Sequence, residues 1–149
     1  MGADERIVWS DGLATGVEEM DRQHRILVDT LRELESKRGC GPGARRFEEV
    51  TRDLLAYALY HFETEEQLIK RYGYDRAEPE EAEAHLRQHR DFSRQVVDLR
   101  GQVRGDEAAS QEALLAFLRK WWKGHICTTD QLLGRFIRSK RAAVHAAAR

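Results

Sequence analysis

Four stretches of this chain place apolar residues at alternating intervals of three and four, with glycine- or proline-bearing breaks between them. That spacing follows the roughly 3.6-residue turn of an α-helix and gathers each set on one face. Such faces are buried by packing helix against helix. The first stripe reads Met20, His24, Leu27, Leu31 and Leu34; the second reads Phe47, Val50, Leu54, Ala58, His61, Glu65, Leu68 and Tyr72. The third carries Ala82, His85, His89, Phe92, Val96, Leu99 and Val103, continuing through Gly101, and the fourth Leu114, Leu118, Trp121, His125, Leu132 and Phe136.

The punctuation between stripes agrees. Thr15 followed by Glu18 is a capping-box pattern that should start the first helix. The run Gly39-Cys40-Gly41-Pro42-Gly43 ends it, Gly73 stops the second, and Pro79 suits the first turn of the third. Asp106 or Ser110 can cap the fourth. The pattern predicts an arm over 1–16, helices over about 17–38, 44–73, 79–104 and 107–138, and a basic, alanine-rich tail over 139–149 that reads as a fraying helix end. Short connections imply an all-α, antiparallel up-down-up-down four-helix bundle, one domain over 1–149.

Composition narrows the function classes. A net charge of -1 at pH 7 and a pI near 6.6 argue against a nucleic-acid binder. No apolar run approaches the roughly 18–20 residues of a membrane span. The charged start MGADERIVWS is unlike a secretory signal, and Arg6 breaks the myristoylation pattern. Cys40 and Cys127 form neither a metal-type pair nor a disulfide framework, and two thiols suit a reducing compartment. The expected location is the cytoplasm.

The chemistry lies where the polar residues fall. Five of the six histidines sit on the core-facing stripes, joined there by Glu65 and Asp130; only His145 does not. A buried carboxylate is costly unless paired or bound to a cation, and no Lys or Arg shares these stripes. With antiparallel helices all seven residues fall within roughly 8–20 Å of the same end of the bundle, so they can meet in one layer. His61/Glu65 and His85/His89 are i, i+4 pairs on one helix face. His125 and Asp130, five apart, would stand about 140° apart on a regular helix, and a local π-type widening would bring them together. One zinc ion could use only three or four of these groups, whereas seven, with two carboxylates able to bridge, suit two octahedral-leaning ions.

The chain resembles the hemerythrins, in particular the single-domain bacterial ones. The likeness runs from Trp9 to about Phe136. It rests on Met20-Asp21-Arg22-Gln23-His24, His61-Phe62-Glu63-Thr64-Glu65-Glu66, Tyr72-Gly73-Tyr74, His85-x-x-x-His89 with Phe92, and Trp121-Trp122-x-x-His125-Ile126-x-x-x-Asp130. The resemblance implies two iron ions, one bound by His85, His89 and His125, the other by His24 and His61. Glu65, Asp130 and a solvent-derived oxo or hydroxo group would bridge them. The second iron then keeps one open position, where the family binds dioxygen reversibly. The same resemblance implies an apolar pocket wall of Leu27, Phe62, Trp122 and Ile126. Two departures stand out: Trp122 replaces the aliphatic residue usual beside the dioxygen site, and the stretch from Gly73 to His85 is several residues longer than usual.

The function this implies is oxygen storage, delivery or scavenging, without catalysis. Dioxygen would be the ligand, and a protein acceptor of oxygen the one macromolecular partner. The alternatives are a diiron oxidase, peroxidase or nitric-oxide-reducing enzyme, or an oxygen-sensing module, on the same scaffold.

Overall fold

The computed structural model describes residues 8–37, 41–101 and 107–147. A single 3₁₀ turn, Asp11–Leu13, precedes α1 (Glu18–Ser36), α2 (Gly41–Tyr72), the one-turn α3 (Tyr74–Ala77), α4 (Pro79–Gly101), α5 (Glu107–Gly124) and α6 (Asp130–Ala147). A five-residue π-helical turn, His125–Thr129, joins α5 to α6, so the last two helices run on as one rod. Among the described residues there is no strand. Four rods remain: α1, α2, α4 and α5–α6. The second turn of α1 meets the last turns of α2, and those meet the first turns of α4, which makes the neighbours antiparallel.

Helix starts and stops differ from the sequence pattern at several points, each for a local reason. No capping box forms at Thr15. The buried Asp21 carboxylate instead reaches back to accept the Thr15 and Gly16 N–H groups at 2.8 and 3.1 Å and the Thr15 hydroxyl at 2.8 Å, and α1 starts at Glu18. Helix α2 begins at Gly41 rather than Ala44, with Pro42 in the first turn, where its missing N–H costs nothing. Gly73, at φ +74°, stops α2 in the left-handed conformation that glycine adopts without strain. The stretch after it folds as α3, and α4 begins at Pro79. Helix α5 begins at Glu107, ahead of Ser110; the other candidate cap, Asp106, lies outside the described residues, as do Val103 and Cys40.

The tail does not fray at 138. Helix α6 continues to Ala147, since no glycine or proline follows Gly134 and alanine favours helix. Arg141 ties it down, donating to Glu19 Oε2 at 2.7 Å and to the Tyr72 hydroxyl at 2.9 Å. Gly134 permits a close approach: a Cβ there would meet the Thr15 carbonyl oxygen at 2.8 Å, so the arm packs directly on α6.

The apolar core is split in two. One cluster, including Leu27, Leu54, Phe62, Phe92, Leu118, Trp122 and Ile126, fills most of the bundle. A smaller one, including Met20, Leu68, Ala82, Leu133 and Ile137, closes the end near Tyr74. Each rod carries polar residues between its contributions to the two clusters: His24 on α1, His61 and Glu65 on α2, His85 and His89 on α4, and His125 and Asp130 around the π turn.

Candidate metal centre

The seven side chains converge in the layer between the clusters, and all are buried. They form two overlapping groups: Glu65, His85, His89 and His125, and His24, His61, Glu65 and Asp130. Glu65 belongs to both. Its Oε1 lies 3.4, 3.0 and 3.4 Å from Nε2 of His85, His89 and His125, and 3.4 Å from Nε2 of His61. Asp130 also spans the groups. Its Oδ2 stands 2.9 Å from His24 Nε2, while Oδ1 stands 3.4 and 3.1 Å from Nε2 of His85 and His125. The arrangement is three imidazoles against two, with a carboxylate reaching each way from both α2 and α6.

The π turn makes this possible. On a regular helix residues five apart diverge by about 140°, yet the extra residue per turn over His125–Thr129 brings His125 and Asp130 together. It also advances the stripe by one position. Leu133 and Ile137 are buried where the unbroken period points to Leu132 and Phe136; Leu132 is 43% exposed and Phe136 is half-buried.

The layer does not satisfy itself by hydrogen bonding. Among the described residues nine buried side-chain nitrogens and oxygens lack a hydrogen-bond partner, and eight belong to His24, His61, Glu65, His85, His89 and Asp130. His24 Nε2 and Asp130 Oδ2, 2.9 Å apart, still lack hydrogen-bond alignment. Buried polar groups are rarely left so. One nitrogen or carboxylate oxygen from each residue of a group lies within 4.8 Å of the others, and such a donor set, with no thiolate in it, fits divalent transition-metal cations.

Two glutamines that the stripes do not single out hold the imidazoles in place. Gln23 Oε1 lies 2.7 Å from His61 Nδ1, and Gln88 Oε1 lies 2.7 Å from His125 Nδ1. Gln23 donates in turn to Thr64 Oγ1, and the Thr129 hydroxyl donates to Gln88. A glutamine oxygen accepting from Nδ1–H fixes the tautomer that leaves the Nε2 lone pair facing the centre. The only sequence signal is adjacency, since each glutamine immediately precedes a histidine.

Without a cation the charges sort among the ligands. Burial opposes the charged form of Glu65, but the neighbouring imidazoles, His61 foremost, hold its carboxyl well below the ordinary range. Burial presses His89 down to about 4, whereas Asp130 and Glu65 overcome burial at His125 and raise it to about 10. The two carboxylates thus favour the protonated form of His125. Around the imidazoles lie aromatic rings: Phe62 stacks on His89 at 4.0 Å between centroids, Trp121 on His125 at 4.5 Å, and Trp122 lies 6.1 Å from His61. Leu27, Phe62, Trp122 and Ile126 are all buried in the larger cluster.

A buried five-histidine, two-carboxylate layer inside an antiparallel four-helix bundle defines a class of metal-binding bundle protein. The model of the hemerythrin HHE cation binding domain matches residues 15–137. The chain belongs to the hemerythrin family. It is 32% identical to a bacteriohemerythrin of Pseudomonas aeruginosa over 124 residues, 83% of this chain and 76% of that protein. A bacteriohemerythrin of Stenotrophomonas maltophilia is 31% identical over 125 residues, 84% and 77% of the two chains, and one of Methylococcus capsulatus 26% over 120, 80% and 87%. No solved structure matches significantly.

Proposed function

We propose that this chain binds dioxygen reversibly at a pair of iron ions and serves in oxygen storage, delivery or scavenging. His85, His89 and His125 would hold one ion, His24 and His61 the other, with Glu65 and Asp130 bridging. The observation that carries this reading is the double reach of the two carboxylates: Glu65 shared by both groups, and Asp130 facing His24 with one oxygen and His85 and His125 with the other. The His24/His61 side is one protein donor poorer, which leaves a position there for an exogenous ligand. When bound, a pair of ferrous ions supplies that open position and the two electrons that dioxygen takes up.

The chain's own part is to orient and to exclude water. Gln23 and Gln88 fix two of the imidazoles, and Leu27, Phe62, Trp122 and Ile126 keep the neighbourhood dry. A dry wall favours release of dioxygen intact over its escape as a reduced, protonated species. None of these four wall residues is a general acid or base, which favours a binding protein over an enzyme. We place it in the cytoplasm, delivering to an unidentified protein acceptor; among the described residues no helix is long and apolar enough to cross a membrane.

The test is an absorption spectrum of the iron-loaded protein taken through cycles of air and argon. A ligand-to-iron band should appear in air, vanish under argon and return with air. A band that cannot be cycled, or steady consumption of peroxide or nitric oxide well above that of free iron, contradicts reversible binding.

A further inference from the structure

Eight of the nine unpartnered buried polar atoms among the described residues belong to the candidate ligands; the ninth is the indole Nε1 of Trp122. A buried N–H left unpaired carries a desolvation penalty that leucine or phenylalanine in the same place would avoid. Trp122 is only 1% exposed, so bulk water supplies no partner. Its ring stacks on Phe62 at 5.7 Å, meets Trp121 edge to face at 4.9 Å, and lies 6.1 Å from His61 and 6.3 Å from His125, beside both groups of the centre. Phe62 and Trp121 stack on His89 and His125 and cover those two imidazole faces. Leu27, Phe62, Phe92 and Ile126, its companions in the core, carry no side-chain hydrogen-bond acceptor.

We infer that the Trp122 indole N–H is a hydrogen-bond donor for the small ligand that enters the His24/His61 side of the centre. The inference rests on the metal-centre reading above and adds a specificity to it. An apolar wall selects ligands by size alone. One N–H donor inside that wall also selects by charge, because hydrogen bonds to a charged acceptor are roughly twice as strong as neutral ones. Diatomic or linear triatomic ligands that gather negative charge on their outer atom are therefore held more tightly, and leave more slowly, than neutral ligands of the same size.

Azide is a suitable probe, bound to the iron-loaded full chain. Trp122→Phe keeps an aromatic ring and removes the N–H. Its azide dissociation constant should rise about tenfold at unchanged iron content. In the unsubstituted protein the azide stretching frequency, read by infrared absorption, should shift between samples prepared in H2O and in D2O. Donation into the Trp121 ring face predicts neither effect. Azide affinity within about twofold of the unsubstituted protein, together with no isotope shift, overturns the inference while leaving the metal centre intact. A protein that binds no iron overturns both. Should Trp122→Phe fail to fold, the isotope shift in the unsubstituted protein decides alone.

Discussion

At the scale of single residues, function depends on polar side chains placed where apolar ones are expected. The seven candidate ligands are legible in the sequence for that reason: a carboxylate or imidazole on a core stripe with no basic partner needs an explanation. Gln23 and Gln88 are not legible in the same way, because a glutamine beside the stripe looks like any solvated residue. Only the 2.7 Å approaches to His61 and His125 reveal their part. If Gln88 fixes the His125 tautomer, Gln88→Leu should weaken iron binding about 10- to 100-fold while leaving the helical content unchanged. Competition with a chelator of known affinity measures this, and an unchanged affinity would remove Gln88 from the centre's support.

At the scale of elements, the bundle was readable from its stripes and breaks, but its last rod was readable only halfway. A constant 3.6-residue period carries the eye from His125 to Leu132 and Phe136, whereas the π turn moves the buried face to Leu133 and Ile137. The need to bring His125 and Asp130 together signals such a turn, but the resulting slip of the stripe beyond it is easy to miss. The slip has a measurable consequence. Leu133→Ala should cost about 2–5 kcal/mol in denaturant unfolding, as a large-to-small change in a packed core does, and Leu132→Ala no more than about 0.5 kcal/mol, as a surface change does. Equal losses would restore the regular period. The start of α1 teaches a related lesson: Thr15 and Glu18 fit a cap pattern, yet Asp21, three residues into the helix, captures the same donors from a buried position.

At the scale of the whole molecule, the ligand layer divides the core, and its titration should make the stability of the metal-free protein depend on pH. His125, raised from its ordinary 6.5 to about 10, contributes stability that is fully present below about pH 6.5 and is lost as the pH rises through 10. His89, lowered to about 4, favours the neutral form, so its contribution is present above about pH 6.5 and is lost as the pH falls through 4. The thermal midpoint of the metal-free chain should therefore peak near pH 6.5 and decline on both sides. With metal bound the imidazoles are already deprotonated, so the alkaline decline should disappear. A metal-free midpoint still rising from pH 7 to 9 would contradict this distribution of charge.

If the seven buried side chains hold two iron ions, with Glu65 and Asp130 shared between them, iron and protein measured on the same reconstituted sample should give about two irons per chain, falling to one or fewer in Glu65→Ala. A ratio of one or less in the unsubstituted protein, or an unaltered ratio of two in Glu65→Ala, would contradict it.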